Sequence, residues 1–319
     1  MPPLLATPPT GITERTQPYP GTDRKSDDPV YVLVVDLGWN PDAAVTLALA
    51  TRLITEPGQL LVLAAHDPDG RRTQLARKLL RRLGREDVPV IAGIPTNSGN
   101  DHRFLMDHWV RAEPQEASAD LDLIIQICAT HAGPVHWVGA GAMTDLAEII
   151  CGRPPLADRM TVTQLSGRID DHSGDEHASA AEALDLDPVS TGLAIRLTRA
   201  RLLLRNHTDH PALQVTERTP LYTGMSAPGA PSWAQEIAEH YNTCFRYLDR
   251  QESTACSLIR APLVLGAALG ESFVTFRPER VHVAQDASLR RSPLGVTLQV
   301  TGHIDYGSAI GWLHECLGI

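Results

Sequence analysis

Residues 30–50 read VYVLVVDLGWNPDAAVTLALA, and the order of side chains in this stretch decides the fold class. Its first six residues are apolar and mostly β-branched, the composition of a buried strand. Asp36 ends the run. Gly38, Asn40 and Pro41 then punctuate a tight connection. From Asp42 onward Ala43, Ala44, Leu47, Leu49 and Ala50 fall at helical spacing, with Pro41 and Asp42 suited to a first turn. A strand, a loop and a helix in this order put one carboxylate at the strand end and another at the helix start. Both belong to the carboxyl edge of a sheet, where open α/β sheets bind their ligands.

Outward from this unit the same alternation continues. Residues 59–65 (QLLVLAA) predict a second strand, HDPDG at 66–70 a turn, 71–83 a basic amphipathic helix, and 87–93 a third strand. Downstream, helices are expected over 118–130, 187–200, 233–248 and 254–269, and strands over 135–138, 160–165 and 202–204. Residues 273–283 and 295–301 suggest a hairpin, and the chain closes on an amphipathic helix. The fold class is therefore α/β, with a mostly parallel central sheet flanked by helices. Residues 1–29, rich in Pro, Thr and charge, are expected to form a disordered tail, and 30–319 a single domain.

Composition excludes several classes. A net charge of −10 disfavours a nucleic-acid partner. The basic run RRTQLARKLLRR at 71–82 carries leucines at helical spacing and is expected to be a solvated helix face. Five widely spaced cysteines without a C-x-x-C imply reduced thiols and a cytoplasmic protein. No apolar run reaches membrane-spanning length, so no membrane partner is expected.

Several segments together resemble the nucleoside hydrolases, the inosine–uridine-preferring N-ribohydrolases. Their opening D-x-D-x-x-x-D-D is matched here by Asp36, Gly38, Asp42 and Ala43. Gly84-Arg85-Glu86-Asp87-Val88-Pro89-Val90, followed by Gly93, is similar to the family's G-R-x-D-V-P-V-x-x-G. The family's G-P-L-T-N-L-A turn is matched by Gly141 to Ala147, and Ala181-Glu182 with Asp187-Pro188 resembles its A-E-F-N-x-x-x-D-P, one residue shorter. The resemblance covers about residues 30–317. It implies a nucleoside-hydrolase-like fold and cleavage of an N-ribosidic bond by a calcium-bound water. Yet the three calcium-ligating acids of the family fall on Gly38, Ala43 and Ala261, and the late H-D-P-L segment reads Arg260-Ala261-Pro262-Leu263. Ca²⁺ needs roughly six to eight oxygen ligands, so a divergent member without the metal or any cofactor is expected.

What the resemblance leaves is Asp42, matched to a ribose-contacting acid, as the catalytic candidate, with Asp36, Asp67, Glu182 and Arg260 as substrate-binding candidates. All but Glu182 have an ordinary structural alternative. Asp42 could be a helix N-terminal carboxylate, Asp36 and Asp67 loop residues bonded to nearby amides, and Arg260 the partner of Asp36 or Asp42. Two competing motifs carry less weight. Gly139-Ala140-Gly141-Ala142-Met143-Thr144 is a degraded dinucleotide fingerprint whose third position holds Thr. His207 and His210, flanking Asp209, could bind a transition metal but fit a turn with solvated imidazoles better. The sequence thus leaves two functions open. One is a calcium-independent enzyme acting on or binding a nucleoside or ribosylated small molecule. The other is a catalytically silent ligand-binding or protein-interaction module. The family's habit implies a homo-oligomer.

Overall fold

The period-two alternation of the first strand explains the layers. Val30, Val32 and Val34 pack into one apolar cluster, while Leu33 and Val35 pack into another on the opposite face. A strand apolar on both faces must be covered on both.

The computed structural model describes residues 27–96, 104–110, 121–170, 186–250, 257–285 and 287–319. In chain order its strands are β1 (Val30–Val35), β2 (Leu60–Ala64), β3 (Val90–Ala92), β4 (Val135–Gly139), β5 (Met160–Ser166), β6 (Arg201–Leu204), β7 (Gln214–Val215), β8 (Ser257–Leu258), β9 (Val274–Val283), β10 (Leu289–Arg291) and β11 (Val296–Ile304). The helices are α1 (Asp42–Leu53), α2 (Arg71–Arg82), α3 (Asp122–Thr130), α4 (Thr144–Gly152), α5 (Pro188–Thr198), α6 (Arg205–Thr208), α7 (Pro220–Met225), α8 (Ser232–Arg250), α9 (Ala261–Leu269) and α10 (Tyr306–Leu317).

Nine strands form one sheet in the order β10-β9-β11-β6-β5-β4-β1-β2-β3. From β11 to β3 all neighbours are parallel, and only the pairs β11–β9 and β9–β10 are antiparallel. Helices α1, α2, α8, α9 and α10 cover one face and α3, α4 and α5 the other. The chain steps from β1 to β2 and β3 on one side, then returns to place β4 on the other side of β1. In such sheets the usual ligand position is at a reversal of this kind, here the carboxyl ends of β1 and β4.

The expected hairpin exists as β9 and β11, but β11 also pairs with β6 and so closes the parallel set. The helix expected over 254–269 begins only at Ala261. Ser257 and Leu258 instead pair with β7, because Pro262 favours the first turn of a helix over its interior. The expected tail lies, but for residues 27–29, outside the described residues. No helix among the described residues is long and apolar enough to cross a membrane.

Candidate functional site

The loop after β1 and the turn after β2 share one buried cation. Arg72, in the first turn of α2, is 3% exposed and sets its Nη1 2.5 Å from Oδ1 of Asp36. The same guanidinium donates Nε–H to the His66 carbonyl at 3.0 Å and also bonds the Leu37 carbonyl. Asp67, fully buried, accepts the amides of Arg72 at 3.0 Å and Thr73 at 2.9 Å. It thereby fixes the N-terminus of α2, where backbone donors lack partners and negative charge is favoured. The solvated face expected of residues 71–82 therefore needs correction at Arg72. A short helix start beside a strand-end carboxylate turns this arginine inward, since a buried charge is tolerated only when paired.

Asp42 opens α1 and is 5% exposed. Its Oδ2 accepts the backbone amides of Arg260 at 3.1 Å and Ala261 at 2.9 Å, so it also caps α9. Burial pushes its pKa up to about 6, although those two amides and the nearby Arg260 charge pull it down. Beneath it, burial and the Asp42 charge raise the Tyr241 hydroxyl well above its ordinary value. His240 lies against the Gly38–Trp39 backbone, and burial drives its pKa down to about 4, so its ring is neutral at pH 7.

Arg260 was expected to pair with Asp36 or Asp42. Its guanidinium lies 2.6 Å from Oδ1 of Asp209, its backbone amide donates to Oδ2 of Asp42 at 3.1 Å, and its charge lowers the pKa of Asp42. Asp36 already has Arg72. Oδ2 of Asp209 also receives Arg168 Nη2 at 2.6 Å and Arg205 Nε at 2.9 Å. Three guanidiniums thus converge on one carboxylate just past the ends of β5 and β6. The turn expected at 206–210 is accordingly corrected: α6 carries Arg205 and His207, half-buried His207 has its carbonyl bonded by Tyr306 Oη, and His210 stacks on the Tyr306 ring at 3.9 Å. Glu182 lies outside the described residues.

The residues present do not fit a calcium ion. Gly38 has φ +93°, and a Cβ there would overlap the Phe104 ring, so an acid at this position would be strained and would have to displace that ring. Ala43 and Ala261 are buried methyls. Among the described residues no group of three or more His, Cys, Asp or Glu is arranged to hold a metal.

The glycines of the 139–144 motif have a packing explanation. The Gln164 side chain lies against Gly139 and donates to the Gly141 carbonyl at 3.0 Å, filling the approach a pyrophosphate would need. Thr144 bonds Asp187 at 3.0 Å. Beside it sits Asp145, 1% exposed, accepting the Ile94 amide at 2.8 Å, its pKa pushed up to about 7 by burial.

Solved structures superpose on this arrangement over nearly the whole chain. A plant nucleoside hydrolase matches with TM-score 0.72 and 18% identity, covering 92% of this chain and 99% of its own. The fold is that of the nucleoside hydrolases. The inosine–uridine-preferring nucleoside hydrolase of Bacillus anthracis matches with TM-score 0.67 and 13% identity over 91% of this chain and 98% of its own. The type III effector protein XopQ, complexed with adenosine diphosphate ribose, matches with TM-score 0.64 and 17% identity over 93% and 94%. No family model and no curated protein matches the sequence.

In the nucleoside-hydrolase fold the structure therefore brings Asp36, Asp42, Asp67 and Arg260 to the carboxyl edge, and Asp67 holds the nearby amides that sequence reading had named as its alternative. It adds Arg72, Arg168, Arg205, Asp209 and Asp145. One signal could have found the arginine cluster. Arg168 and Arg205 each follow a strand at the same edge, and Asp209 stands one helical turn after Arg205.

Proposed function

We propose that this chain binds a ribosylated small molecule at the carboxyl edge of its sheet and cleaves the N-glycosidic bond without calcium. The observation that carries the reading is Asp42. A buried carboxylate with a pKa of about 6, at the end of the switch-point loop, can take a proton near neutral pH. A water then adds its oxygen to the anomeric carbon and passes one proton to Asp42, while the bond to the leaving nitrogen breaks and solvent protonates that nitrogen. Arg260 faces the same ligand. Asp36 and Asp67 serve it indirectly, by holding Arg72 and α2 in place.

Similar structures support a ribosyl ligand, since they include nucleoside hydrolases and XopQ complexed with adenosine diphosphate ribose. A second reading, binding without turnover, is favoured by the two α9 amides that occupy Oδ2 of Asp42.

The test is release of free base from a panel of ribosides in the presence of EDTA, with wild type and Asp42→Asn. Under the enzymatic reading, turnover rises through a pKa of about 6 and falls at least about a hundredfold in Asp42→Asn. Equal rates in both proteins would remove Asp42 from the chemistry. Saturable binding with no turnover would leave the silent reading.

A further inference from the structure

Strand register sets one row of side chains across the sheet at the edge opposite Asp42. Tyr31 of β1 pairs with His136 of β4, and His136 with Thr161 of β5. Two residues on, Thr163 pairs with Arg201 of β6, which pairs in turn with Gln299 of β11. These side chains share the face that carries α1 and α9, because Val32, Trp137, Val162, Leu202 and Val300, which alternate with them, pack into the cluster of the other face. The rings of Tyr31 and His136 stack at 4.9 Å. Arg201 donates Nη2–H to Thr163 Oγ1 at 2.8 Å and lies 5.5 Å over the Phe276 ring of β9. Parallel strands are ordinarily covered on both faces. Here Thr161 and Gln299 are exposed, and Tyr31, His136, Arg201 and Phe276 are only half-buried. Burial already raises the pKa of Tyr31 and lowers those of Arg201 and, with the Arg201 charge, His136. Groups partly dehydrated in this way lose little more when something covers them.

We propose that residues 1–26 of this same chain dock on the row, with Pro18-Tyr19-Pro20 laid across it as an extended segment. Three observations choose this occupant. The first is where the described chain begins. Asp27 and Asp28 run beside the loop between α3 and β4, the Asp28 carbonyl lies 2.7 Å from His131 Nε2, and Tyr31 follows three residues later. By contrast, residues 97–103 and 171–185 follow β3 and β5 and so leave from the opposite edge. The second is reach. From β1 to β11 the row crosses four strand spacings, about 19 Å at ~4.8 Å each. The eight residues from Tyr19 to Asp27 span about 25 Å at ~3.1 Å each in the polyproline conformation. The third is chemistry. Six of the 26 residues are proline, a content that suits docking as an extended segment and not the building of a core. Such segments lay their rings on aromatic faces and offer carbonyls to side-chain donors. The Tyr31–His136 stack and Phe276 supply the faces, and the Tyr31 hydroxyl, Thr161 hydroxyl and Gln299 amide supply the donors. A short tether gives an effective concentration on the order of 1 mM, so an intrinsic Kd of about 0.1 mM leaves only about a tenth of the chains undocked. The row lies away from Asp42, so the docking is independent of the ribosyl reading.

The experiment is brief trypsin digestion of the native full chain, reading cleavage after Arg24 and Lys25, with light scattering to follow mass. Wild type is compared with Tyr19→Ala and Thr161→Arg. Tyr19→Ala alters nothing in residues 27–319. Thr161→Arg puts a long side chain at an exposed point in the middle of the row, and its thermal midpoint checks that it folds. Where undocking is fast relative to cleavage, the rate follows the undocked fraction. Wild type should therefore be cut about tenfold more slowly than either variant, with no change of mass among the three. Equal rates in all three, or protection that survives either variant, overturns the proposal. A wild-type dimer that Thr161→Arg splits, with all three proteins cut at one rate, gives the face to a second copy of the chain and overturns it equally.

Discussion

Replacing Arg72 with alanine should destabilise the fold more than replacing any exposed arginine of α2. The guanidinium is 3% exposed and Asp36 only 12%, and Arg72 supplies donors to the Asp36 carboxylate and to the Leu37 and His66 carbonyls. Removing one partner of a buried pair costs about 3–5 kcal/mol, because the other charge stays behind without compensation. Arg72→Ala should therefore lose about that amount, and Arg72→Lys rather less, since a single ammonium cannot serve three acceptors through a planar fork. Asp36→Asn in the Arg72→Ala background removes the stranded charge. The double variant should then be more stable than the two single losses would sum to, with a coupling on the order of 1–3 kcal/mol. Urea unfolding monitored by tryptophan fluorescence measures all four corners of the cycle, read as midpoint shifts at constant slope. A loss below about 1 kcal/mol for Arg72→Ala, or a coupling indistinguishable from zero, would refute the view that this arginine neutralises the loop after β1.

Three further outcomes follow from the same edge. Gly38→Asp should cost upward of about 2 kcal/mol, through the positive φ and the overlap with Phe104, and calcium should not raise its thermal midpoint. Asp145→Asn keeps the oxygen that accepts the Ile94 amide but removes the titration. With a folded pKa of about 7 against 3.8, the folded chain holds a proton that the unfolded chain releases, so this group's contribution falls as pH rises from about 4 to about 7. The asparagine variant should match wild type below pH 4 and gain up to about 4 kcal/mol by pH 8, at about 1.4 kcal/mol per pKa unit, seen in thermal midpoints taken across that range. Asp67→Ala should cost about 2 kcal/mol, by orphaning two buried amides at the start of α2, and should raise amide hydrogen exchange there first.

The parts of the fold that local chemistry determines were legible in the sequence. The β-branched run of β1, the turn residues between it and α1, and the spacing of the later strands all follow from periods of two and of 3.6 residues. The position of β11 was not legible, since pairing with β6 across the intervening chain leaves no periodic trace. At the site, the sequence marked Asp36, Asp42, Asp67, Glu182 and Arg260 as one group, and the fold brings all but Glu182, which lies outside the described residues, to one edge. What it could not display was partner choice. Arg72 lies in a run that reads as a solvated basic helix, and only the approach of α2 to the β1 loop turns it inward. Asp209 drew attention through its flanking histidines, yet its partners are three arginines up to 51 residues away in sequence. Such clusters depend on which strand ends lie side by side, and only the strand order decides that.

Under the proposed function, ligand recognition at the carboxyl edge of this nucleoside-hydrolase fold does not require calcium. The direct test is one calorimetric series: calcium titrated into the metal-free protein, then ribose 5-phosphate titrated in the presence of calcium and, separately, of EDTA. The account predicts no saturable heat from calcium and the same ribose 5-phosphate affinity in both solutions. Stoichiometric calcium binding, with ligand affinity that vanishes in EDTA, would contradict it.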